Sequence, residues 1–230
     1  MKNITAVFIK QIKDTFKNGA ILVQFFMLPC IAVIMEQTVT LEGMPEHFFV
    51  RLFSVMYCAQ APLTCMSSII SEEKEKGTLR VLLLSDVKPW EYLAGVGSYL
   101  WLIYMLGAGV FCLAGRFAGK QAVGFMLIMA AGILVSMLFG AALGTWSRNQ
   151  MMATSITIPV MLLFSFSPML SMFNKTIEQA AKYTYSQQIQ YLIDSIGHIE
   201  LQPEAVIILL ANILIAFCLF WSAYRRCGLA

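Results

Sequence analysis

Six apolar runs divide this chain: Gly19 to Glu36, Phe48 to Ile70, Leu93 to Ala114, Ala122 to Trp146, Thr154 to Phe173 and Ala205 to Tyr224. A helix rises about 1.5 Å per residue, so about 20 apolar residues cross a hydrocarbon core of about 30 Å. Within lipid the backbone must satisfy its own hydrogen bonds, and for isolated runs of this length that means helix. The expected fold is an all-α integral membrane protein with six transmembrane helices, one domain over residues 1–230. Composition agrees: 59% of residues are hydrophobic and 13% charged, whereas soluble domains carry about a quarter charged residues. Pro29, Gln60-Ala61-Pro62, Pro159 and Pro168 interrupt three of the runs, where bends are expected.

The second and third runs are joined by the most charged stretch in the chain, Ser71 to Tyr92, which holds Glu72, Glu73, Lys74, Glu75, Lys76, Arg80, Asp86 and Lys88. It reads as a polar loop containing a short helix. Gly77 breaks the charged run, and Leu79, Leu82 and Leu83 then recur at i, i+3 and i+4, giving one apolar face. Lys88-Pro89 starts a new helix, with proline suited to the first turn and Glu91 placed near the positive end of the dipole. An apolar face in such a loop has to be buried, on headgroups or on a partner protein.

Glu73-Lys74-Glu75-Lys76-Gly77-Thr78-Leu79, then Leu82-Leu83-Leu84-Ser85, then Glu91-Tyr92-Leu93-Ala94-Gly95, resembles the E-K-E-x-G-T-x-x-x-L-L-L-S-P…E-x-L-x-G signature of ABC-2 type transporter permeases. Asp86 stands where that family usually has proline, and Val96 where it often has lysine. The resemblance implies the membrane subunit of an ATP-driven exporter, paired with a second permease, either another copy or a sister chain, and with two copies of a cytosolic ABC ATPase. It implies that ATP and magnesium sit on that partner and that this chain is not itself an enzyme. It also assigns ATPase coupling to Glu72, Glu73, Glu75, Gly77, Thr78, Leu79, Leu82, Leu83 and Glu91, with the leucines as the face buried against the partner.

Charge fixes the expected orientation. With both termini in the cytosol, eleven of the sixteen lysines and arginines fall inside and five outside, namely Arg51, Arg116, Lys120, Lys175 and Lys182. The charged stretch is then cytosolic, in a bacterial plasma membrane. Ahead of the first run, Ile4, Phe8, Ile12 and Phe16 line one side of a helix and Lys2, Lys10, Lys13 and Lys17 the other, the pattern of an amphipathic helix in the membrane interface. A solvated leader is the alternative. No cleavable signal is readable there, so the first spans are expected to target the chain.

In the fourth run Gly132, Ser136, Gly140 and Gly144 repeat every four residues, a groove for close helix approach within the subunit or across a dimer. Between the last two runs, Ile189, Leu192, Ile193 and Ile196 recur at helical spacing and predict a short amphipathic helix lying on the outer face. Polar residues within runs, Gln24, Gln60, Ser165, Ser167 and Asn212, are candidates for the substrate path and equally for interhelical hydrogen bonds.

Other chemistries find little support. Gly115-Arg-Phe-Ala-Gly119-Lys120 has the wrong spacing for a phosphate loop and is followed by Gln121 rather than Ser or Thr. His47 and His198 stand apart, with no metal-ligand spacing around them, so neither a metal site nor an intramembrane protease built on Glu72-Glu73 is expected. Cys30, Cys58, Cys65, Cys112, Cys218 and Cys227 form no C-x-x-C pair and read as buried or lipid-facing thiols. The triplets at Asn3 and Asn174 match glycosylation sequons only by pattern. Partners are expected to be the ATPase, the second permease and membrane lipid, with no nucleic acid; the cargo is hydrophobic or amphipathic, such as a peptide antibiotic, a drug or a lipid-like molecule. The rival reading is a membrane anchor or immunity protein that recruits a cytosolic partner through the same loop.

Overall fold

The structure is a computed structural model that describes residues 2–17, 19–39, 43, 45–196 and 203–227. His198 and Glu42 lie outside the described residues, as do the side chains of Lys2, Phe16, Lys17, Leu83 and Cys227. Every element described is helical: α1 Lys2–Lys17, α2 Gly19–Thr38, α3 Phe48–Glu75, α4 Thr78–Leu84, α5 Pro89–Ala114, α6 Lys120–Trp146, α7 Gln150–Ser171, α8 Lys175–Ala181, α9 Tyr185–Asp194 and α10 Pro203–Cys227. Five of these, α3, α5, α6, α7 and α10, are long and apolar enough to cross a membrane, and α2 adds a shorter apolar helix at Val23–Thr38. The chain is thus a helical integral membrane protein.

At the centre stands α3, whose apolar span is mostly buried within the chain and which packs against α6 and α7 above all. The α3–α6 contact is close because side chains are missing from one of the two surfaces. A Cβ on Gly140 would come within 2.4 Å of the Leu63 carbonyl oxygen, and one on Gly144 within 2.8 Å of the Ser67 carbonyl oxygen. Gly132 lies under Cys58 and Ile189, and the Ser136 hydroxyl donates to the Ala59 carbonyl over 3.1 Å. All four small residues of the α6 stripe therefore face neighbours within this subunit.

Pro62 sits inside α3 and cannot donate to the helical ladder. Hydroxyls from other helices gather on the carbonyls just before it. Tyr104 donates to Ala61 over 2.8 Å, and both Ser136 and Tyr185 reach Ala59, at 3.1 and 3.3 Å. These phenols and this serine are interhelical hydrogen bonds made in a setting without water, and they tie α5, α6 and α9 to α3 beside Pro62.

Two expectations need correction. The charged stretch does not begin as a loop: α3 continues through Ser71 to Glu75, since its last turn can be solvated and bonded through its charged side chains. Nor does α9 lie on the surface. It is inserted among α3, α6, α7 and α10, with Tyr185, Ile189 and Ile193 fully buried. Its polar side is mostly amides, with its one carboxylate, Asp194, at the last position, which limits the cost of burial: Gln187 accepts from Ser171 over 2.9 Å, and Gln190 donates to Asp194 over 2.8 Å. Tyr185 meets α3 at Ala59, about 16 Å along that helix from Phe48.

Candidate functional site

The end of α3 is built around three consecutive side chains that point in three directions. Glu73 faces α1, where its Oε1 accepts from Lys10 Nζ at 2.6 Å and from Gln11 Nε2 at 2.8 Å. Lys74 faces α6 and donates to the Thr145 carbonyl over 2.7 Å, at the negative end of that helix. Glu75 faces α7, and its Oε2 accepts the Gln150 amide over 2.8 Å, at the positive end. Successive helical residues are turned by about 100°, so a run of three reaches three neighbours. The signs alternate as the helix ends require, so E-K-E is matched to its surroundings. Glu72 is different: its partner is Lys76, one turn on, and this carboxylate raises the lysine above its ordinary pKa.

The chain then folds over an elbow. Gly77 has φ of +68°, the left-handed region that favours glycine, and the Thr78 hydroxyl donates back to the Glu73 carbonyl over 3.2 Å. This turn lays α4 against the end of α3. Leu79 becomes completely buried within the chain and Leu82 half-buried, while Leu83's side chain is outside the described residues. The expectation that Leu79 faces a partner is therefore corrected, because the tight turn brings α3 and its neighbours over that side. What α4 presents outward is Arg80, Val81 and Leu84, the last two 63% and 80% exposed, with Trp90 also exposed nearby in sequence.

Beyond the elbow, Pro89 opens α5 and Glu91 caps it, its Oε2 accepting the Lys88 amide over 3.0 Å. The same oxygen accepts from Asn3 Nδ2 at 3.0 Å. Helix α1 is thus tied at both Glu73 and Glu91, and it runs along α5, where Val7 meets Gly95 so closely that a Cβ there would be 2.8 Å away. The buried stripe of α1 is Val7, Gln11 and Thr15, one position ahead of the half-buried Ile4, Phe8 and Ile12. Glu73 explains the offset, since its buried carboxylate draws Lys10 and Gln11 toward α3.

A cleft of about 210 Å³ opens between α2, α3 and α7, lined with Gln24, Thr64, Ser67, Ser68, Thr154 and Thr157. Ser67 and Thr157 share a hydrogen bond of 2.9 Å at its floor, and Gln150 Nε2 donates to Ser68 over 3.2 Å, linking the cleft to the elbow. Of the five polar span residues singled out from the sequence, only Gln24 lines this cleft. Ser165 donates to Gln60 over 3.5 Å farther along α3, and Ser167 is half-buried with no partner for its hydroxyl among the described residues. Asn212 is elsewhere, donating to the Tyr183 and Ile208 carbonyls over 2.9 Å each. The hydroxyls at 64, 67, 68 and 71 in α3, and at 154 and 157 in α7, fall at helical spacing, which is the signal that could have found the cleft.

At the far end, Arg51 of α3 is 3.8 Å from Asp194 of α9. Burial raises the Asp194 carboxyl above its ordinary pKa, opposed by its bonds to Gln190 and its proximity to Arg51. Burial likewise raises the Tyr191 phenol, which donates to Glu178 over 3.0 Å.

The family described as ABC-2 family transporter protein matches residues 31–224, well over half the chain, from within α2 to near the end of α10. The chain belongs to the ABC-2 transporter family. Its elbow and apolar spans are thus parts of a membrane transport component of the ABC class. No curated protein matches the chain in sequence.

Proposed function

We propose that the chain is the six-span permease subunit of an ABC exporter, with α2 as its first span and both termini in the cytosol. Residues 71–92 form the coupling segment, and the partner ATPase, present in two copies, holds the ATP and magnesium. A second permease, another copy or a sister chain, completes the assembly in a bacterial plasma membrane. The cargo is hydrophobic or amphipathic, such as a peptide antibiotic, a drug or a lipid-like molecule, and its path runs by the hydroxyl-lined cleft between α2, α3 and α7.

One observation carries this reading: Glu73, Lys74 and Glu75 bond to α1, α6 and α7 respectively. A push on the elbow is felt by three helices besides α3, and one of them, α7, walls the polar cleft. The contact offered to the ATPase is the outer side of α4, where Arg80, Val81 and Leu84 are exposed. Domain closure by the motor then biases the bundle between inward-open and outward-open arrangements.

The test is co-purification with the ATPase of the same operon, together with ATP-dependent export. Val81→Asp with Leu84→Asp is expected to abolish both while leaving the folded bundle intact. Intact complex and transport in that double variant would refute the docking role. Complex formation without transport of any cargo would favour the anchor. Cysteines placed at Val81 or Leu84 are expected to escape an impermeant thiol reagent in intact cells; labelling there would reverse the orientation.

A further inference from the structure

Most hydroxyl protons in the cleft between α2, α3 and α7 are already committed within the chain. Thr64 Oγ1 donates to the Gln60 and Ala61 carbonyls of its own helix, over 3.0 and 3.1 Å, and Thr154 Oγ1 donates to the Gln150 carbonyl over 2.8 Å. One further proton lies between Ser67 and Thr157, and Ser68 already accepts from Gln150. A hydroxyl accepts two hydrogen bonds and donates one, so what Thr64 and Thr154 have left to offer is lone pairs.

The helix backbone adds to this surplus of acceptors. Pro159 cannot donate to the carbonyl of Ser155, four residues before it in α7 and next in sequence to the lining residue Thr154. Free donors among the described lining residues are fewer: the Gln24 amide, the Ser68 hydroxyl and one member of the Ser67–Thr157 pair. No Asp, Glu, Lys or Arg is among those lining residues, so a charge placed there would lose hydration without gaining a counter-ion. Ile158 and Met161 supply an apolar edge beside the hydroxyls.

We infer that this cleft binds the head group of an amphiphile that is uncharged and rich in N–H or O–H donors, with Thr64 and Thr154 accepting from it and Ile158 and Met161 against the start of its tail. The inference rests on reading the cleft as the cargo path and narrows that reading. Carboxylate and phosphate head groups, which bring further acceptors and a negative charge, are refused.

Three photoreactive amphiphiles test this. They share one diazirine-bearing alkyl tail and differ only in the head: a primary amide, which donates through its N–H groups, an N,N-dimethylamide, which cannot donate, and a carboxylate. Each is crosslinked to the complete chain in nanodiscs, and adducts at residues 64–68 and 153–161 are compared by mass spectrometry with those at Leu102 and Leu106, exposed on α5 outside the cleft. In the cleft the primary amide is expected to exceed the dimethylamide about fivefold, the worth of one neutral hydrogen bond, and the carboxylate by more; on α5 the two amides are expected to be equal. Thr64→Val with Thr154→Val, which keeps the shape and removes the hydroxyls, is expected to bring the amide ratio near one, and Thr64→Ser with Thr154→Ser to preserve it. Gln24→Leu removes an acceptor from the α2 wall and is expected to lower the ratio should the valine variant not fold. Equal cleft labelling by the two amides, a ratio that survives the valines in a folded chain, or carboxylate labelling as strong as that of the primary amide overturns the head-group assignment and leaves the cleft as the path. Absence of cleft labelling by all three overturns the path and the site together.

Discussion

Removing the Glu73 carboxylate should free α1. Glu73 is 7% exposed and receives two hydrogen bonds from that helix, at 2.6 Å from Lys10 and 2.8 Å from Gln11. A hydrogen bond to a charged acceptor contributes about 1.5–3 kcal/mol. The Lys10 side chain is one-third exposed and lies 3.9 Å from Asp14, so much of its share is recovered from water and that neighbour. Its net loss is about 0.5–1 kcal/mol. Gln11 is buried and recovers little, so Glu73→Ala should weaken α1 docking by roughly 2–4 kcal/mol, raising its opening equilibrium roughly 30- to 900-fold. Hydrogen exchange of residues 2–17, measured on the full chain in nanodiscs, reads this directly. Glu72→Ala is the control, since among the described residues the Glu72 side chain pairs with Lys76 and not with α1, and exchange in α1 should not change. If Glu73→Ala left α1 protection as it was, the ties at Glu73 would not hold that helix, and force could not pass through them.

Three further outcomes follow from contacts described above. Gly140→Ala drives a methyl group to 2.4 Å from a backbone oxygen and should cost about 1–3 kcal/mol in a thermal or denaturant melt, whereas Gly124→Ala meets nothing within 4 Å and should gain about 0.5–1 kcal/mol. Tyr185→Phe removes the hydroxyl shared with Ser136 and Ala59 and should lower stability by about 1 kcal/mol, with the largest rise in exchange at α9. Asp194 has its folded pKa raised by burial, so the folded state binds more proton than the unfolded one just above the ordinary aspartate range; protection of α9 should fall as pH rises through that window, and Asp194→Asn should flatten the dependence.

The long helices were legible because their signal is crude and repeated: a run of apolar residues has one inexpensive conformation in lipid. The α6 stripe was legible for the same reason, since four small residues at one spacing leave a groove whatever fills it. Partner choice was not. The face of Leu79 is visible in the sequence, but whether it meets another protein or its own α3 depends on the left-handed turn at Gly77. In α1 the sequence shows the apolar stripe Ile4, Phe8, Ile12 and Phe16, yet the neighbouring and more polar Val7, Gln11 and Thr15 are the more buried, because Glu73, 62 residues from Gln11 in the chain, answers Gln11 there. For α9 the glutamines misled, because an amide counts as polar in any hydropathy reading and yet can be buried once Ser171 or Asp194 answers it. The cleft hydroxyls are faint in the sequence because serine and threonine barely disturb an apolar average. The sequence candidates Gln60, Ser165, Ser167 and Asn212 were conspicuous as polar residues but are dispersed among separate contacts.

The buried position of α9 also dictates an order of construction. Ten residues cannot cross a bilayer unaided, and α9 leaves the ribosome after α3, α6 and α7 but before α10. Without it, the Ala59 carbonyl keeps its Ser136 partner but lacks the Tyr185 phenol, and the hollow above Gly132 has no Ile189 to fill it. Helix α9 is thus an amide-rich plug in a notch walled by membrane spans, and the last helix closes over it, with Asn212 donating to Tyr183 at the plug's entrance.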